Sequence, residues 1–141
     1  MLIENLKLSG RVIVAMNGQV IQEIPNLVVD TGKDFVASRM KEATAAVMSH
    51  MAVGTNTTAA AAGDTALGAE SARVALSSIT VSGNAVSYVA TFSAGVGTGA
   101  LTEAAIFNAA SGGTMLCRTL YPVINKGASD EVTVTWEVSA S

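Results

Sequence analysis

This chain is poor in almost everything that surface chemistry uses. Among its 141 residues there is one His and one Cys, 4% are aromatic, and 13% are charged, against roughly 25% charged in an average soluble domain. Each shortage excludes something. A single cysteine, Cys117, rules out an intramolecular disulfide framework and suits intracellular synthesis. A single histidine, His50, has no second His or Cys near it in sequence and so no metal-ligand spacing, and it reads as a structural side chain. The basic residues Lys7, Arg11, Lys33, Arg39, Lys41, Arg73, Arg118 and Lys126 are scattered, and net charge is −3. No basic stripe exists for nucleic acid. Scarce aromatics argue against a stacking platform for sugars or single strands; Tyr88, Tyr121 and Trp136 read as core. The charge-free stretches Ala43–Gly63 and Val74–Thr102 are broken by Ser, Thr, Asn and Gly, whereas a membrane span needs about 20 predominantly apolar residues. The opening residues MLIENLKLSG show no secretory pattern.

What replaces charge is Ser, Thr, Ala, Gly and Asn, beside 50% apolar residues. A solvated surface normally carries interspersed charge, and a surface of small neutral residues packs well against another protein. That favours a subunit of a larger assembly, although Ser and Thr are also ordinary on the open face of a sheet. The length fits one domain, residues 1–141.

Hydrophobic patterning predicts strands almost throughout. In Arg11–Ile24, Asn17-Gly18 separates two runs rich in Val and Ile, the strongest short hairpin signal; strands Arg11–Met16 and Gln19–Ile24 follow, ended by Pro25. Thr31 and Asp34 resemble a capping box, and Phe35, Val36, Met40, Ala43 and Val47 recur at helical spacing, predicting a helix over Lys33–Val47. Met48–Val53 reads as a strand. Gly54–Gly68 reads as a loop long enough to imply a role, here contact with a neighbouring subunit. Ala72–Val81 and Ala85–Phe92 read as a long hairpin, and Ser93–Ala100 as a Gly-rich connection. Thr102–Ala109 and Thr114–Tyr121 follow as strands, the second broken by Pro122. In Glu131–Ser139, Val132, Val134, Trp136 and Val138 share one face of a half-buried strand. The sum predicts a mainly β fold: an antiparallel β-sandwich, jelly-roll or immunoglobulin-like, with one inserted helix.

Few residues invite a chemical reading. Cys117 sits between Leu116 and Arg118 in a strand and reads as a buried hydrophobe, since a nucleophile would need a base such as His50 beside it. Gly95-Val96-Gly97-Thr98-Gly99 lacks both the Gly-Lys-Ser/Thr ending of a phosphate loop and the βαβ frame of a dinucleotide loop. Asp64, Glu70 and Glu103 match no calcium loop; Glu103 is expected to bond backbone groups or an Arg partner, Arg73 or Arg118. No catalytic, cofactor-binding or metal-binding residues are assigned. If the chain oligomerises, the charge-free hairpin Val74–Phe92 and the segment before Gly54 are the expected contacts, with Val74, Leu76, Val86, Tyr88, Val89 and Phe92 as interface candidates.

The stretch Leu101–Trp136 resembles a group of small tailed-bacteriophage virion proteins labelled tail-fibre or tail-associated. The residues carrying this are Leu101-Thr102-Glu103-Ala104, Ile106-Phe107-Asn108-Ala109, Ser111-Gly112-Gly113-Thr114-Met115-Leu116, Arg118-Thr119, Pro122-Val123, Asn125-Lys126-Gly127 and Thr133-Val134-Thr135-Trp136. Upstream, Leu27–Met40, His50–Thr55 and Ala62–Gly68 fit the same group, so the likeness runs from about Leu27 onward. It departs at Ala105, where Gly is expected. The resemblance implies a non-enzymatic virion part, made in the host cytoplasm, that assembles as a trimer or ring with copies of itself and with tail, collar or baseplate proteins. Capsid decoration, or a receptor- or glycan-binding role through loops 54–68 and 93–100, are the alternatives. It brings no catalytic residues.

Overall fold

The computed structural model describes residues 6–41 and 44–141. Among them are ten strands and one helix: β1 (Leu8–Met16), β2 (Gln19–Pro25), β3 (Leu27–Val28), α1 (Asp30–Ser38), β4 (His50–Gly54), β5 (Glu70–Ala75), β6 (Ser78–Ser82), β7 (Ala85–Phe92), β8 (Gly99–Phe107), β9 (Met115–Lys126) and β10 (Val132–Ala140). The strands form two antiparallel sheets of five, ordered β2-β1-β10-β7-β6 and β3-β9-β8-β4-β5. The fold is a β-sandwich with one short helix, as the sequence predicts.

The alternation that predicts the last strand sets the core. Val132, Val134, Trp136 and Val138 of β10 are buried between the sheets, and so are Val12 and Val14 of β1, which pair with β10 along their whole length. From the second sheet come Met51 and Val53, Leu101, Ala104 and Ile106, and Cys117, Tyr121 and Ile124. The β1–β2 turn has Asn17 at φ 51° and Gly18 at φ 83°, the left-handed pair that a type I′ hairpin needs.

A second apolar cluster lies on the outer face of the second sheet: Val29, Ala52, Leu67, Ala105, Phe107 and Met115. Here the segment 55–69, through Leu67, covers the sheet, whereas Phe35 and Val36 of α1 pack against the inner core. Gly32 lets the helix touch β9, because a Cβ there would run into the Leu116 carbonyl oxygen. Ala105 is fully buried in this cluster and its methyl group is accommodated.

Several sequence readings need correction. The helix spans Asp30–Ser38, not Lys33–Val47; Met40 and Val47 are exposed, 88% and 56%, and Ala43 lies outside the described residues. Thr31 is not a cap. Val29 is the N-cap residue, and the Thr31 hydroxyl donates to the Met115 carbonyl at 2.9 Å instead, so tertiary contact overrides the local capping pattern. Ala72–Val81 is not one strand. The Leu76 N–H donates to the Ser49 carbonyl beside β4, and the next N–H, Ser77, to the Val89 carbonyl of β7. The chain therefore changes sheet between those two residues, and only β6–β7 is the hairpin. Pro122 does not end its strand. β9 continues to Lys126 because the register shifts between Leu101 and Glu103, leaving Tyr121, Pro122 and Val123 opposite Thr102; a bulge is where a strand tolerates a residue without an N–H.

The expected interface residues also divide. Tyr88 and Phe92 point into the core, and Val74, Leu76 and Val86 pack against it. These five line the inside of the sandwich, so they do not form an outward contact face. Val89 alternates with Tyr88 and Ala90 and faces outward.

Candidate functional site

The densest polar arrangement in the described residues is built on Glu103, at the middle of β8. The neighbours Ala104 and Ile106 serve the core, so Glu103 faces outward with Ala105 and Phe107. Arg118 of β9 pairs with Ala105 and projects on the same side. Both would meet solvent on an open sheet. Here the loop 55–69 lies over them, and Glu103 is 0% and Arg118 3% exposed.

Every acceptor position on the Glu103 carboxylate is engaged. Oε1 accepts from the Gly68 N–H at 3.0 Å, from Arg118 Nη2 at 2.9 Å and from Arg118 Nε at 3.3 Å. Oε2 accepts from the Asn56 N–H at 3.0 Å and the Ala69 N–H at 2.9 Å. Arg118 also donates to Asp64 Oδ2 at 2.9 Å and to the Thr58 carbonyl at 3.0 Å. The Asp64 Oδ2 accepts from the Ala61 N–H at 2.8 Å. Outside the carboxylate, the Thr102 hydroxyl donates to the Asn56 carbonyl at 2.7 Å, and the Tyr121 hydroxyl to the Glu103 backbone carbonyl at 3.0 Å. One carboxylate thus gathers both ends of the loop, Asn56 and Gly68–Ala69, while one guanidinium holds its middle, Thr58 and Asp64.

The electrostatics follow from that saturation. Burial raises the Glu103 carboxyl pKa, but the Ala69 and Asn56 amides, the Arg118 side chain and the Gly68 amide together outweigh it, and the group titrates below its ordinary value. It stays a carboxylate through the neutral range. Tyr121 is pushed the other way, by burial and by the charge of Glu103. The ion pair is buried and hydrogen-bonded on every side, which is the condition under which a buried charge is tolerated. The carboxylate has no lone pair free for a substrate, and Arg118 directs four bonds to Glu103, Asp64 and Thr58. Gly54 makes room for it: a Cβ there would sit 2.6 Å from Glu103 Oε2.

The other residues singled out in the sequence fall elsewhere. Arg73 is not a Glu103 partner. It binds Glu70 at 2.7 and 3.0 Å, donates to the Ala109 and Gly112 carbonyls at 3.0 and 2.9 Å, and lies 3.7 Å over the Phe107 ring. It fastens the 108–113 turn to the sheet. His50 and Cys117 are not brought together: His50 pairs with Phe107 on the outer side of the second sheet, whereas Cys117 is buried on its inner side. Burial raises the Cys117 thiol pKa, so it remains a thiol. His50 Nδ1 is 2.8 Å from the Ser49 hydroxyl. Burial, with a smaller contribution from Cys117, raises Tyr88 to about 12. Among the described residues no group of three or more His, Cys, Asp or Glu converges, and no helix is long and apolar enough to cross a membrane.

Sequence reasoning missed Lys126, whose side chain is buried, with Nζ donating to the Ser93 carbonyl at 2.9 Å. It also missed the part played by Asp64. The available signal was a lone Arg, Arg118, directly after the apolar run Met115–Cys117, which demands a buried partner. Comparison of the chain with protein-family models, curated proteins and solved structures finds no match.

Proposed function

We propose that this chain is a non-enzymatic structural subunit of a bacteriophage virion, a homo-oligomeric part of a tail fibre or of a tail, collar or baseplate attachment. The observation that carries the reading is the saturation of the Glu103 carboxylate by Arg118 and the loop amides. The one strongly built polar site in the described residues spends its donors and acceptors on holding a loop, which is what a rigid building block needs and what a catalytic carboxylate cannot do. The virion assignment rests on the resemblance of Leu101–Trp136 and the upstream segments. The low charge supports assembly. The receptor-binding alternative through residues 54–68 finds less support, because that loop is fastened at Asn56, Thr58, Asp64, Gly68 and Ala69.

The test is to locate the protein on particles with a specific antibody and to measure the mass of the purified chain by light scattering. Label on the tail, with a mass several times that of one chain, is the expected result. Label on the head would replace the tail reading with capsid decoration. A protein absent from particles would overturn the proposal.

A further inference from the structure

Two five-stranded sheets have four edges, and an open edge is a template for another strand unless something guards it. Three of the four are guarded. β2 carries Glu23, ends at Pro25 and is bulged against β1 between Val14 and Ala15. β3 is two residues long. β5 carries Glu70 and Arg73. The fourth, β6, is Ser78-Ile79-Thr80-Val81-Ser82, with no charge and no proline, and all five residues are exposed. Ile79 and Val81 are 47% and 70% exposed, large apolar side chains left uncovered.

The backbone of this edge is turned outward in a defined way. Ser82 pairs with Ala85 across the two-residue turn Gly83-Asn84, and Thr80 with Ser87. A two-residue hairpin closes on a hydrogen-bonded pair, and such pairs alternate along an antiparallel ladder. Ser82, Thr80 and Ser78 therefore direct their N–H and C=O groups to β7, whereas Ile79 and Val81 direct theirs away from the sheet.

We propose that β6 pairs antiparallel with β6 of a second copy of this chain, about a twofold axis through Thr80. In that register Ile79 lies opposite Val81 of the second copy, and Ser78 opposite Ser82. The outward N–H and C=O groups of Ile79 and Val81 meet each other across the axis. The two β-branched side chains form cross-strand pairs on one face, and hydroxyl side chains meet on the other. No like charges oppose, because the strand has none. The partner is a second copy rather than an unrelated strand because the five residues are complementary to themselves in this register. The edge spans only about 17 Å, so the contact is concentration-dependent and gains strength when several copies are held together. A twofold contact closes as a dimer, so a trimer or ring uses a further surface. The inference rests on reading the chain as a self-assembling subunit.

Thr80→Cys tests it. Thr80 would face its own copy in a non-hydrogen-bonded pair, where the Cα atoms are close enough for a disulfide. The native Cys117 is fully buried and takes no part. On mild oxidation of the purified full chain, a covalent dimer at twice 14.2 kDa is expected for Thr80→Cys, and at least a tenfold lower yield for Thr135→Cys on the central strand β10. Adding Val81→Lys, which sets a charge at the edge while leaving the β7 ladder intact, should abolish the cross-link. Failure of Thr80→Cys to cross-link at any concentration overturns the pairing, as does equal cross-linking of Thr135→Cys. An oligomer by light scattering without the Thr80 cross-link would overturn the β6 contact and leave the subunit reading standing; a cross-linked dimer on a protein absent from particles would do the reverse.

Discussion

Two arginine–carboxylate pairs in this molecule share a distance, 2.9 Å, and little else. Arg11 meets Glu23 on the outer face of the first sheet, with both side chains 53% exposed; Arg118 meets Glu103 on the outer face of the second, at 3% and 0%. The first sheet's outer face is open to water, and its pair sits in a solvent that would serve either partner as well. The second sheet's outer face is roofed by loop 55–69, and the pair is what attaches the roof. Identical chemistry therefore has a different consequence on each side of the sandwich, decided by what covers it.

The largest effect comes from breaking the covered pair. Glu103→Gln removes the charge and replaces one oxygen by a nitrogen that cannot accept, leaving at least one loop amide buried without a partner and Arg118 with Asp64 as its one remaining carboxylate. Unfolding in urea should show a loss of about 3–5 kcal/mol, and the Gly68 and Ala69 amides should exchange hydrogen faster than core amides of β10. A loss below 1 kcal/mol would mean that water replaces the carboxylate easily and the loop is not fastened there.

The pH dependence sharpens the contrast. Because the folded Glu103 pKa is depressed, its contribution to stability is present above the unfolded value, about 4.3, and is lost as pH falls through the lower folded value. The wild-type chain should lose stability steeply across that acid window, and Glu103→Gln should lose less over the same range. If the two acid profiles are parallel, other carboxylates account for acid unfolding.

A smaller effect tests the fit rather than the charge. Gly54→Ala drives a methyl group against both the Ala69 carbonyl oxygen and Glu103 Oε2. The carboxylate must move from three amides and a guanidinium at once, and overpacking of this kind costs about 1–3 kcal/mol. Thermal unfolding of Gly54→Ala beside Glu103→Gln/Gly54→Ala should show coupling, because the side-chain amide that Glu103→Gln introduces, held by fewer loop bonds than the carboxylate, yields to the methyl group at lower cost.

Much of the sandwich was legible in the sequence because strand faces are written locally. Val132, Val134, Trp136 and Val138 alternate with polar residues, and Asn17-Gly18 dictates its own turn. The misreadings share a cause that is not local. Thr31 prefers the Met115 carbonyl to a cap. Pro122 is tolerated because the register slips at Thr102. Leu76 and Ser77 bond to different sheets, which no periodicity within 72–81 can encode. At the buried site, Arg118 and Glu103 could each be flagged as needing a partner. That the partners include amides at Asn56, Gly68 and Ala69 depends on how a loop without charge except Asp64 folds back over 47 positions of sequence separation.

The smallest effect is the control that gives the comparison its meaning. Arg11→Ala should change stability by about 0–1 kcal/mol, since an exposed pair gains little over solvation and loses side-chain freedom in forming. What it does contribute should fade between low salt and about 1 M, where the screening length falls to about 3 Å. The Glu103–Arg118 contribution, shielded by the loop, should persist through the same salt series. Measured side by side in urea at both ionic strengths, the two variants report how much the cover, the three amides and the second Arg118 bond add to an arginine–carboxylate contact of the same length. If Arg11→Ala proves as costly as Glu103→Gln, the roof over the second sheet is not what makes its ion pair matter, and the difference between the two faces would have to lie in the bulged β1–β2 ladder that Arg11 and Glu23 bridge.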